Sequence, residues 1–334
     1  MSVLQKSRAQ SCHRSKYRRD HSEESSYAIS IRIGLLTEPE RYRRVRVPTI
    51  LPTTHPPARP VYPANPLTGA HLTRQTGQTY NFVTVDVTDS IATVTIDKPP
   101  ANAFNPSMIA ELLEILPVLA SDQTVRVIVV TGTGRFFVAG ADITVMRELT
   151  EETQRAMRPW VDVQRILESA PKPVVAKING HALGGGAELT LACDFRIMAQ
   201  SATIGFPEIG LGLFPGAGGS QRLPRLIGAH RAKVLMIEGK RLSAEHALDI
   251  GLVDTVVADA DLDAHCADLA RELATKPTAT IGMIKRIVDE GMSLPLDQAL
   301  DLEFEAVLDL IKTDDAAEGL QSFLDKRSPT FTGR

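Results

Sequence analysis

Two glutamates stand in settings that a solvated carboxylate does not need. Glu188 follows Gly184-Gly185-Gly186 and is flanked by Ala187, Leu189, Leu191 and Ala192, an expensive place for a carboxylate without a partner or a proton. Glu208 follows Phe206-Pro207 and precedes a glycine-rich run from Gly210 to Gly219. Two carboxyls facing one small pocket push their proton affinities apart, which suits one to giving a proton and the other to activating water. The glycines at 184–186 also open a predicted helix, whose first N–H groups have no partner inside it and carry the positive end of its dipole. Glu188, three residues after Gly185, projects from the same face. A second small-residue turn, Phe137-Val138-Ala139-Gly140-Ala141-Asp142-Ile143, lets a ligand approach the main chain closely. Together the amides of Ala141 and Gly185 could form an oxyanion hole for a carbonyl oxygen, worth roughly 3–4 kcal/mol per donor in comparable sites. The plain alternatives are glycines kept for tight packing and glutamates kept for the surface.

Other reactive residue types point to less. Cys12, Cys193 and Cys266 are an odd number at wide spacings, unlike a disulfide framework or a metal cluster. Cys193, at the end of an apolar helix, reads as a buried small residue. His181, His230, His246 and His265 lack ligand spacing. Gly216-Ala217-Gly218-Gly219 is not followed by Gly-Lys-Ser/Thr, so pocket shaping is its expected use rather than phosphate binding.

These residues need a scaffold that brings distant turns together. Phe82 to Val87 and Ile91 to Ile96 predict a hairpin around Asp89-Ser90. Asn105-Pro106 predicts the start of a helix with apolar positions at Met108, Ile109, Leu112, Leu113, Leu116 and Leu119, with Pro117 expected to kink or end it. Apolar runs at Val125 to Thr131, Pro173 to Ile178, Phe195 to Ala199 and Ala202 to Gly205 predict strands, and a helix is predicted from Gly184 to Ala192. A further helix is expected after Ile143, with Met146 and Leu149 on one face. Ser243 is a plausible N-cap and Gly251 a helix stop. Leu262 to Leu273, Ile281 to Val288 and Leu296 to Ile311 predict a helical tail. Strand–helix alternation with uninterrupted apolar strands indicates an α/β layer fold.

The net charge of −3 hides an uneven distribution. Residues 1–79 carry +8 and residues 80–334 carry −11. The first 79 residues hold eight of the 21 prolines and one short alternating run at Ile29, Ile31 and Ile33, too little to offset chain entropy by burial, so they are expected to be disordered. Acid is absent from the first 19, as in a mitochondrial transit peptide. A basic arm for nucleic acid is not expected, because Asp20, Glu23, Glu24 and the prolines break up the charge. No apolar run is long enough to span a membrane.

On these residues the chain resembles the crotonase, or enoyl-CoA hydratase/isomerase, family. The likeness covers residues 80–334 through Pro99-Pro100-Ala101-Asn102-Ala103, Ala139 to Ile143, Asn179 to Glu188, Pro207-Glu208, Pro215 to Leu223 and Asp325-Lys326-Arg327. It implies an α/β spiral of ββα units with a C-terminal helical region, divided as extension 1–79, core 80–275 and oligomerising helices 276–334. It further implies a homotrimer or dimer of trimers. The implied activity is hydration of a 2-enoyl-CoA, with Glu208 moving the C2 proton, Glu188 activating water and the Ala141 and Gly185 amides holding the thioester oxygen. Ala103, Ala139, Ala141, Asp142, Ile143, Thr144, Gly185 and Lys326 are the implied substrate contacts. Thr144 stands where many hydratases carry a lysine. The resemblance calls for an acyl-CoA thioester partner, no metal and no cofactor beyond the coenzyme A of the substrate, no nucleic acid and no membrane. A cytoplasmic setting is expected, or a mitochondrial matrix if residues 1–79 include a transit peptide. An isomerase of the same family, or a non-catalytic binding protein on the same fold, are the competing readings.

Overall fold

The computed structural model describes residues 80–147 and 150–333. The expectations for residues 1–79, with Cys12 and the basic arm, and for Leu149 lie outside the described residues.

Strands β1 (Val83–Thr88) and β2 (Ile91–Ile96) pair antiparallel from Val83↔Ile96 to Thr88↔Ile91. Their two-residue turn has positive φ at both Asp89 and Ser90, 52° and 65°, the backbone that matches the twist of a tight hairpin. Helix α1 (Pro106–Ser121) begins where Asn105 Oδ1 accepts the Met108 N–H at 2.9 Å. Pro117 does not end it. Proline removes one hydrogen bond and crowds the preceding turn, but Leu112, Ile115, Leu116 and Leu119 are buried around it and hold the helix through Ser121.

The chain then repeats one move. β3 (Val127–Gly132) and β4 (Phe136–Val138) are followed by α2 (Glu151–Met157) and α3 (Trp160–Ser169). Next come β5 (Val174–Ile178) and β6 (His181–Leu183) with α4 (Gly185–Thr190), then β7 (Phe195–Ala199) and β8 (Thr203–Gly205) with α5 (Gly219–Ile227) and α6 (Ala229–Glu238). The first strand of each pair joins a six-stranded sheet, and the second joins a smaller four-stranded one. The larger sheet runs β1-β2-β3-β5-β7-β10 and is parallel from β2 onward; the smaller runs β4-β6-β8-β9. This alternation is the ββα spiral. Strands β9 (Arg241–Ser243) and β10 (Thr255–Val257) close the two sheets around α7 (Ala244–Asp249), which Ser243 caps by accepting the His246 N–H. β3 is buried along its whole length, as a strand covered on both faces must be.

Helices α8 (Leu262–Ala274), α9 (Thr278–Gly291), α10 (Leu296–Leu310) and α11 (Asp314–Leu324) end the chain. Lys285 on α9 ties them to the core, donating to Asp194 Oδ2 at 2.8 Å and to the Leu167 and Lys172 carbonyls. Yet α9 has no buried residue and α10 has only Ala306. Ile284, Val288, Leu296, Leu300, Phe304 and Val307 are all exposed. Among the described residues no helix is long and apolar enough to cross a membrane.

Candidate active site

The ends of the smaller sheet's strands place both glutamates at one cavity of about 440 Å³. β6 runs into α4, which carries Glu188, and β8 runs into the 3-10 turn Pro207–Leu211, which carries Glu208. Gly184 joins them. Its φ of 54° combined with ψ of −125° is a backbone natural only to glycine, and a Cβ there would come 3.0 Å from Glu208 Oε1.

The carboxyls differ in their partners. Glu188 is 2% exposed, and its Oε1 accepts the Ala217 N–H at 2.9 Å and the Gly219 N–H at 2.8 Å. Burial raises its proton affinity, while the Gly219 and Ala217 amides and the Arg222 charge oppose that. Arg222 is itself fixed by paired bonds to Glu168 at 3.0 and 2.9 Å and by Gln164 Oε1 at 2.9 Å. Glu208 has no such support. Its Oε2 is buried without a hydrogen-bond partner, and its pKa is pushed up to about 7, chiefly by burial; its own backbone N–H pulls the other way, and the nearby Glu188 charge adds to the rise.

Two amides lie close by. Gly185 is the first residue of α4, where an N–H has no intrahelical acceptor. Gly140, at φ 100°, brings its chain against that turn, since a Cβ on it would stand 3.6 Å from Gly185 N. The bridge between Phe104 and Ala141 uses Phe104 N–H to Gly140 O and Asp142 N–H to Phe104 O, both 2.9 Å, and so leaves the Ala141 N–H outside the ladder.

Ala139, Ala141, Ile143, Gly185, Glu188 and Glu208 all line the cavity. Ala103, Asp142, Thr144 and Lys326 do not. Ala103 precedes the lining residue Phe104. Asp142 pairs with Lys98 at 2.7 Å and accepts from the Thr144 N–H and hydroxyl, which holds its pKa down at about 2. The segment after Ile143 forms a 3-10 turn, Val145–Arg147, where a helix was expected; the Leu149 position of that helix lies outside the described residues. Lys326 is exposed after α11. Cys193 is 4% exposed, and burial pushes its thiol up to about 12, which suits the small buried residue expected there. Sequence reasoning missed Phe104, Trp160, Gln164 and Arg222, whose roles depend on contacts 25 to 81 residues distant in sequence; no local spacing signals them.

A family model described as enoyl-CoA hydratase/isomerase matches residues 86–334. The crotonyl-CoA hydratase of Syntrophomonas wolfei is 37% identical over 258 residues, spanning 76% of this chain and 99% of that protein. The 1,2-epoxyphenylacetyl-CoA isomerase of Escherichia coli is 38% identical over 262 residues, spanning 76% and 99%. A crystal structure of an enoyl-CoA hydratase from Bacillus anthracis superposes with a TM-score of 0.73 at 38% identity, covering 76% of this chain and all of that one.

Proposed function

The chain belongs to the enoyl-CoA hydratase/isomerase family, and from that premise we propose that it is an enoyl-CoA hydratase, adding water reversibly across the C2–C3 bond of a 2-enoyl-CoA to give the 3-hydroxyacyl-CoA. In this reading the thioester oxygen sits between the Ala141 and Gly185 amides, which stabilise the charge it gains as C3 is attacked. Glu188 acts as the carboxylate. With Oε1 engaged by two amides, its other oxygen accepts a proton from water as the water oxygen bonds to C3. Glu208 acts as the acid and delivers its proton to C2. The water proton ends on Glu188 and the C2 proton leaves Glu208, so a proton passes back from Glu188 to Glu208 through solvent before the next turnover. Adding water to a double bond is not a redox step, so no resident cofactor is called for, and coenzyme A arrives with the substrate.

The observation that carries this assignment is the contrast between an amide-bound Glu188 and a Glu208 whose buried Oε2 has no acceptor or donor. A buried carboxyl with one oxygen that meets no donor favours its neutral form, the form needed to protonate C2. Loss of the enoyl-thioester absorbance of crotonyl-CoA tests the activity, and a panel of longer enoyl-CoA substrates ranks the acyl chains that fit between Ile143, Met157, Val161 and Phe214. The unpartnered Glu208 also favours a second reading, in which it alone shifts a proton between C2 and C4. An assay with a 3-enoyl-CoA decides how much isomerase activity accompanies hydration.

The exposed apolar side chains of α9 and α10 support self-association, for which we propose the homotrimer or dimer of trimers that the family resemblance implies. Light scattering that shows a monomer at micromolar concentration overturns it. We place the enzyme in the cytoplasm, with residues 1–79 dispensable for folding and hydration; a truncation starting at Tyr80 that lost activity would reverse that assignment.

A further inference from the structure

Phe104 packs against both residues that supply the proposed amide donors. Its backbone bridges to Ala141, and its ring lies so close over Gly185 that a Cβ on that glycine would collide with it. Behind Phe104 stands Trp160, fully buried, with ring planes 6° apart and centroids 4.2 Å apart. The Trp160 indole N–H donates to the Gly185 carbonyl at 3.2 Å. The same residue that offers its N–H to the cavity is thus held by its C=O from the opposite side.

That restraint acts on the Gly185 carbonyl itself, beside the bonds that hold the turn at Gly184, whose N–H donates to the Gly205 carbonyl and whose C=O accepts the Glu188 N–H, both 2.9 Å. The helix has six residues, and Gly184 supplies no side-chain cap. Glycines at 184, 185 and 186 leave the backbone its widest freedom. An amide that must meet a developing oxyanion contributes in proportion to how well its direction is set beforehand. The residues around Trp160 also matter: Met157, Arg158 and Val161 line the cavity. The indole therefore joins the wall that receives the acyl chain to the turn that receives the carbonyl.

We propose that Trp160 is a positioning residue for hydration, its indole N–H and its stack on Phe104 fixing the Gly185 amide toward the thioester oxygen. The inference rests on the reading of Gly185 as a donor to that oxygen. It concerns a residue that touches neither substrate nor glutamate.

Trp160 is the single tryptophan of the chain, so the indole can be altered at one site in two ways. Trp160→Phe keeps a ring to stack and removes the N–H. Biosynthetic replacement by benzothienylalanine keeps the two-ring volume and puts sulfur where the N–H was, which preserves packing if the phenylalanine variant fails to fold. One readout is the absorbance of a bound cinnamoyl-CoA with an electron-donating para substituent, which moves to longer wavelength as its carbonyl is polarised. The other is kcat and KM for crotonyl-CoA. Losing one hydrogen bond corresponds to about a two- to tenfold fall in kcat, with KM little changed and the wavelength shift of the bound thioester reduced. A parent shift retained in full by both altered proteins, or a loss confined to KM, overturns the role of Trp160 and leaves the Gly185 donor standing. A parent protein that shows no shift sinks the carbonyl-donor reading and this inference with it.

Discussion

The two sides of the cavity are built differently. Every residue of α4, which carries Glu188, is buried, whereas none of the turn Pro207–Leu211, which carries Glu208, is. Burial raises the proton affinity of both carboxyls, so burial alone does not separate their roles. Partners do. The deeper carboxyl is met by two backbone amides, Ala217 just before α5 and Gly219 at its start, and the shallower one has an oxygen that nothing meets. The side that looks more hostile to charge is the side equipped to hold it.

The hardest test of that difference is Glu208→Gln. If Glu208 is the proton donor to C2, the variant loses both hydration and exchange of C2 protons with solvent, each by about 10²- to 10⁴-fold or more. Binding of the thioester should change little, because both amides survive. In the parent, kcat/KM should fall as pH rises above about 7, where Glu208 gives up its proton. A rate that is flat from pH 6 to 9 would remove Glu208 from the acid role.

Glu188→Gln should cost hydration over the same range of about 10²- to 10⁴-fold while some C2 exchange persists, since water activation is lost and the C2 proton still moves. Equal loss of both reactions in the two variants would mean the carboxyls share their work as one coupled pair. Gly219→Ala probes the support rather than the carboxyl. A Cβ there would stand 2.8 Å from Pro215 Cβ, 2.9 Å from Glu188 Oε1 and 3.0 Å from its Cγ, so the loop or the glutamate must shift. We expect about a tenfold fall in kcat, because a displaced base works less well than a fitted one but better than none. Unchanged kinetics would show that the amide contacts do not set the position of Glu188.

The same contrast explains what was legible in the sequence. The hairpin, the Asn105 and Ser243 caps and the buried apolar strands are local signals, and they are where the structure has them. So are the glycine run and the two glutamates, because unusual residue types in an apolar setting stand out without a partner in view. The smaller sheet was not fully legible. Its strands are three residues long, too short for period-two alternation to register. Pro117 does not end α1, because six buried apolar residues of the helix outweigh one lost hydrogen bond. The aromatic pair of Phe104 and Trp160 and the Arg222–Glu168 pairing join segments 56 and 54 residues apart, and only the fold reveals them. The exposed apolar positions on α9 and α10 fit helical periodicity while failing burial within one chain.

The smallest expected effect is on stability, and it separates the carboxyls without any substrate. Glu208 has a pKa of about 7 in the folded protein against an ordinary 4.5 for a solvated glutamate. Below pH 4.5 the group is protonated in both folded and unfolded chains, and its folded environment favours that form. As pH rises from 4.5 to 7 the unfolded chain releases the proton first, so this contribution to stability is progressively lost, and above 7 the folded protein carries an unsupported carboxylate. The group is partly in contact with solvent, so the full shift overstates the cost, and about 1–2 kcal/mol is the reasonable size. Glu208→Gln stays neutral throughout. Its thermal midpoint should match the parent's near pH 5 more closely than at pH 8.5, where the variant should melt a few degrees higher. Glu188→Gln should show a smaller widening over the same range, because the Gly219 and Ala217 amides and Arg222 already support the charged form there. Equal widening in the two variants would mean that those amides do not hold a charge, and the division of labour across the cavity would have to be reversed or abandoned.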